Sequence, residues 1–187
     1  MRTRLLTAGL LAAVVALAGC GKRSTHTASV PEGWGTLKTR GVSVSYPQGP
    51  GGYVEQSPAE RSKYNAAAAV REESGRTVSM ITVQLDFTQA RSVEQAAIAA
   101  EAGIRMGAKV QGEKDVKLAD TDHAKRIDFT FTSTGEDGNP PKGTPVKGVI
   151  LAGLDSNGQA FAVRIDAARG ALPSTDLKKI IDSVQVQ

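Results

Sequence analysis

Apolar and polar residues alternate with a period of two along most of the chain beyond residue 40, the signature of half-buried β-strands. In GVSVSYP (41–47), Val42, Val44 and Tyr46 share one side, leaving Ser43 and Ser45 on the outer face. In TVSMITVQLDF (77–87), Ile81, Val83, Leu85 and Phe87 fall together. RIDFTFTST (126–134) sets Ile127, Phe129 and Phe131 against Asp128, Thr130 and Thr132, and AFAVRIDA (160–167) sets Phe161, Val163 and Ile165 against Ala162 and Arg164. VKGVILAGL (146–154) is continuously apolar, as a central strand covered on both faces should be. The turn signal DSNG follows it, so 146–166 is expected to form a hairpin. A further strand is expected over 66–73, joined to the next by Ser74, Gly75 and Arg76.

Two segments change period. Ser92 and Gln95 form a capping box ahead of VEQAAIAAEAGIRM, in which Val93, Ala97, Ala100 and Ile104 make one stripe, with Glu101 and Arg105 paired beside it. A second helix is expected from Ser174 to about Val184. Leu177, Ile180, Ile181 and Val184 have the spacing of a docked face, and Lys178 and Lys179 lie off it. Few strands are separated by a helix. The expected class is therefore α+β, a single domain with an antiparallel β-sheet and helices packed on it.

The first residues follow another logic. Arg2 and Arg4 precede an uncharged apolar run from Leu5 to Leu17, then Ala18 and Gly19. That order is an export signal, and the run is shorter than the ~20 residues a permanent span requires. Leu17-Ala18-Gly19-Cys20 resembles the lipobox of bacterial lipoproteins. In that family the cysteine thiol takes a diacylglyceryl group and becomes the first mature residue. The resemblance accounts for the only cysteine in the chain, since a thiolate is the most readily alkylated side chain. One cysteine makes no internal disulfide and no zinc pair. The expected organisation is a lipoprotein signal at 1–19, the lipidated Cys20 and a polar tether through residue 33, and a domain from 34 to 187. The expected location is the outer face of the cell membrane. Roughly 12 flexible tether residues reach about 20 Å, and Lys22 and Arg23 add attraction for anionic headgroups or stand as ordinary solvated charges.

Loss of the signal removes two arginines and no acids, leaving 21 Lys and Arg against 19 Asp and Glu, about +2. Aromatic residues are 4% of the chain and no basic stripe interleaves with them. Nucleic acid is not an expected partner.

GVSVSYPQG, a helix after a long strand, two long hairpins and a final LKKIIDSVQV together resemble the PsbP-like fold. That family includes the extrinsic PsbP protein of photosystem II, a Ran-binding nuclear-import factor and the LpqN-type lipoproteins of actinobacteria. The lipobox favours the last branch. Members often carry an aromatic shortly after the Tyr-Pro; here QGPGGY intervenes, and Tyr53 is the residue available for that place. The resemblance implies a non-enzymatic module that binds or assists a larger assembly, with no shared catalytic set.

The remaining candidate chemistry is sparse. No G-x-S-x-G, H-E-x-x-H, phosphate loop or dinucleotide fingerprint occurs, and no cofactor is expected. Ser43 and Ser45 are outer-face strand residues before they are nucleophiles. Asp120, Asp122 and His123, in ADTDHAK, are the one compact set of metal-ligand types; Asp and Thr are equally ordinary turn formers, and no metal is expected. His26 falls in the tether. Partner contacts are looked for on two loops: YPQGPGGY, with Tyr53, and 133–145, stiffened by Pro140, Pro141 and Pro145 and carrying Lys142. Trp34, at the start of the domain, is either a contact residue or a seal on the sheet edge. These features favour a lipid-anchored accessory protein of an envelope complex. The alternative is a binder of a small apolar ligand or lipid, held in space left by the alanine-rich stripe between sheet and helix; a hydrolase comes last.

Overall fold

The computed structural model describes residues 28, 30–104, 106–136 and 138–187. The signal, the lipobox with Cys20, most of the tether, and the Arg105 partner of Glu101 lie outside the described residues. In chain order the elements are β1 (Trp34–Lys38), β2 (Val42–Pro47), β3 (Val54–Glu55), β4 (Ala67–Glu73), β5 (Arg76–Leu85), α1 (Val93–Ala102), β6 (Lys109–Leu118), β7 (Thr121–Thr132), β8 (Pro145–Leu154), β9 (Ala160–Ala168), α2 (Ser174–Asp182) and β10 (Gln185–Val186). A seven-stranded sheet runs β3-β4-β5-β9-β8-β7-β6 and a three-stranded sheet runs β1-β2-β10, with antiparallel pairing throughout. An isolated parallel bridge, Ala119 to Gln185, links them. The chain is one α+β domain.

Strand alternation divides the core in two. From the large sheet, Ile81, Val83, Leu151, Phe161, Val163 and Ile165 pack against Leu37, Val42, Val44 and Tyr46 of the small sheet and Ile180, Ile181 and Val184 around α2. Their neighbours in sequence point the other way: Ile127, Phe129, Ile150, Ala152 and Ala162 meet Ala97 and Ala100 of α1. The large sheet is therefore the middle layer of three. β8 lies inside it, between β9 and β7, and 148–153 are buried without a break, as the unalternating sequence predicts.

α1 opens on Ser92, whose hydroxyl accepts from the Gln95 N–H at 3.3 Å. The box is displaced by one position, because the Gln95 side chain takes the Arg91 N–H, at 2.8 Å, instead of that of Ser92. The helix ends at Ala102, short of Met106, with the Gly103 N–H donating to Ala99. α2 begins after Pro173, without a side-chain cap. Among the described residues no helix is long and apolar enough to cross a membrane.

Several expectations are corrected. Phe87 leaves the side occupied by Ile81, Val83 and Leu85 and joins the α1 core, because Asp86 adopts a left-handed φ of 52° that reverses the alternation. Ser45 does not face outward: it is 1% exposed, its hydroxyl lies beside that of Thr36 on β1, and its N–H is bonded to Ser183 at the end of α2. β1, β3, β6 and β10 are strands that the sequence pattern does not mark. β6 carries the least apolar pattern of the long strands, and nearly all of it is exposed. It forms because β7 offers a ladder, and its lysines and acids protect the sheet edge.

Candidate functional site

The β8–β9 hairpin extends past the part of its face that α2 covers. On that face Lys147 stands opposite Ala167, and Val149 opposite Ile165. Ala167 and Ala168 are small, and beyond them the chain swings away at Gly170, whose φ of 85° an L side chain would resist. The result is a cleft of about 130 Å3, walled by Val149, Ile165, Leu172 and Leu177. Lys147 and Arg169 stand exposed at its mouth. Arg71 steadies the far wall, donating through Nη1 to the Ala171 carbonyl and through Nη2 to Glu73 at 2.7 Å.

The opposite face of the hairpin carries a polar group at the edge of the α1 core. Arg164 lies over the Phe129 ring, 5.0 Å from its centroid, and its Nε donates to Asp166 Oδ2 at 2.9 Å. The Asp166 side chain is 13% exposed. Its pKa is raised by burial, against the pull of Arg164. Its Oδ1 is buried without a partner among the described residues.

A wider, open groove of about 760 Å3 runs beside the start of α1, with Glu94, Asp115, His123 and Asp155 along it. Its carboxylates already have work. Asp115 pairs with Lys125 at 2.8 Å, and Asp155 Oδ1 accepts from the N–H groups of Asn157 and Gln159, both at 2.9 Å. The Glu94 carboxyl is held below the usual range by its own backbone N–H and then by Ser92.

The loop candidates divide. Tyr53, expected on an open loop, is 3% exposed. It packs edge-on against Tyr46, ring centroids 6.1 Å apart, and its hydroxyl meets Ser79 Oγ at 2.6 Å. Ser79 donates its own proton to the Asp166 carbonyl, so the Tyr53 hydroxyl is the donor in that bond. Tyr53 is a core residue with no surface for a partner. The 133–145 loop folds back on the sheet: the Thr77 N–H donates to Gly138, Arg76 Nη1 to the Asn139 carbonyl, and Ser133 Oγ to the Pro140 carbonyl. Pro140 is thereby buried, whereas Pro141 and Lys142 remain exposed. Trp34 is half-buried against the core, with Lys179 Nζ 6.0 Å from its ring.

The serines and the acidic set are also placed. The Ser45 hydroxyl lies 3.1 Å from that of Thr36, and its N–H donates to Ser183 Oγ at 2.9 Å. Ser43 is half-buried on the same strand. Asp120 forms the β6–β7 turn with φ 66°, and its carboxylate accepts from Gln185 Nε2 at 2.8 Å. His123 is exposed, and the Asp122 side chain lies outside the described set. Among the described residues no three metal-ligating side chains gather.

Space also differs from expectation. The alanine stripe of α1 brings the helix close to Ile127, Phe129 and Ile150, leaving about 100 Å3 at its margin beside Phe87 and Ala99. The larger apolar cleft is on the α2 side. Sequence reasoning missed it because its walls come from β8, β9, the 169–172 turn and α2; the run AARGAL, small residues around a glycine, was the available hint.

No family model fits the sequence, and no curated protein matches it.

Proposed function

We propose that this is a non-enzymatic protein anchored by lipid to the outer face of a membrane, with a PsbP-like domain that serves as an accessory or interaction module for a cell-envelope complex. The observation that carries the reading is Leu17-Ala18-Gly19-Cys20 behind a charged start and an apolar run. Two acyl chains anchor stably where one is marginal. The element order supports the PsbP-like assignment, with a helix after the long β5, two long hairpins and a terminal helix. The partner loop this reading favours is 133–145, where Pro141 and Lys142 stand exposed on a tip fixed to β5.

Crosslinking in intact cells, with Cys20→Ala as the unanchored control, tests it. A membrane protein recovered only with the anchored form is the expected result. Substrate turnover abolished by one side-chain substitution, or membrane retention of Cys20→Ala, overturns it.

A second reading has its own observation. The apolar cleft beside α2, about 130 Å3, is smaller than the roughly 300–1,000 Å3 of a usual ligand pocket, so this reading is confined to a ligand with one small apolar group.

A further inference from the structure

We infer that the cleft beside α2 binds a small amphipathic anion, its apolar part against Val149, Ile165, Leu172 and Leu177 and its carboxylate at Lys147 and Arg169. This rests on the ligand-binding reading above and narrows it to a chemical class. Size sets the apolar part. An apolar cavity of about 150 Å3 takes one benzene molecule, so this cleft takes one ring or a chain of about six carbons. The side chains at the mouth set the head group.

Both charged lining residues are cations, and no acid lines the cleft. Neither cation is drawn into an ion pair among the described residues, and the nearby carboxylates are already engaged, Asp128 by Arg126 and Glu73 by Arg71. An uncharged hydrocarbon would leave the two cations without a role. A bare inorganic anion would leave the apolar walls wet. A molecule with both parts satisfies both, and charge-assisted bonds to a carboxylate give selectivity while the walls give affinity. The register fixes the arrangement: Lys147 faces Ala167, whose methyl leaves the floor open between the cation and the apolar walls.

Photolabelling of the full chain in phosphatidylcholine vesicles tests the inference. The probes are a six-carbon carboxylate with a diazirine at its far end and the alcohol of the same length. The carboxylate is expected to label the 165–177 segment, with hexanoate competing and inorganic phosphate not. Lys147→Ala with Arg169→Ala is expected to lower carboxylate labelling about tenfold and to leave the alcohol unchanged. Both positions are exposed, so the double variant keeps its fold, as thermal melting will show. Ala167→Leu is expected to block both probes. Equal labelling by both probes, unchanged in the double variant, overturns the anion assignment and leaves the ligand-binding reading standing. Absence of labelling in the cleft, or full labelling of a folded Ala167→Leu protein, overturns both.

Discussion

Gly148 in β8 stands directly opposite Phe129 in β7, and the phenyl ring lies over it so closely that a methyl group there would come within 2.1 Å of the ring tip. The glycine is what lets a large ring lie flat on the sheet beneath Arg164. Its place in VKGVILAGL is therefore a packing requirement of the neighbouring strand.

Gly148→Ala is expected to destabilise the domain by about 1–3 kcal/mol, the usual cost of overpacking. Thermal melting of the single variant measures it. In a Phe129→Leu background the same substitution should cost less, because the clashing ring tip is gone. Equal costs in the two backgrounds would show that the ring is not the obstacle.

Tyr53→Phe removes a hydroxyl that donates to Ser79 in the core. The loss should be about 0.5–1.5 kcal/mol by urea unfolding, with the ring contact to Tyr46 retained. Burial raises the Tyr53 pKa, ahead of the opposing Ser79 bond. Its contribution is complete below the unfolded tyrosine value and is lost as pH rises toward the folded one. Stability of the wild type should therefore fall more steeply in alkali than that of the phenylalanine variant.

Ser183 ends α2 and ties it to the small sheet: its hydroxyl accepts from the Ser45 N–H and donates to the Ile180 carbonyl at 2.7 Å. Ser183→Ala leaves a buried N–H without that partner, at a cost of about 1–3 kcal/mol. Hydrogen exchange at Ser45 should accelerate in the variant. Ser45→Ala, which keeps the same N–H bonded, should cost less.

Asp166 sets a pH dependence of the opposite kind to most carboxylates. Its pKa is raised, first by burial, so the folded protein holds the proton more tightly than the unfolded chain. The stability this contributes is complete below the ordinary aspartate value and is lost as pH rises through the raised one. Melting temperatures of wild type and Asp166→Asn, compared across the acid range, should show the wild type losing ground to the variant with rising pH. A constant difference would mean that burial does not govern this carboxyl.

Alternation along single strands was enough to place β2, β5, β7 and β9, an unbroken apolar run placed β8, the Ser74-Gly75-Arg76 turn marked the end of β4, and helical spacing placed both helices, because each of these segments buries one or two faces and its own residues record which. The same pattern put Phe161 and Ala162 on opposite sides of the sheet, where they belong to different cores. The antiparallel class followed from that density of strands. Edge and terminal strands left weaker traces: β6 is largely exposed and β10 pairs through only two residues, so their conformation comes from a partner strand rather than from burial. Only the tertiary structure decided that Tyr53, Pro140 and Ser45 are buried, and that the larger apolar cleft is beside α2 rather than α1. Those outcomes depend on which element folds over which face, and the residues that meet, such as Ser45 with Ser183 or Arg71 with Ala171, are far apart in the chain.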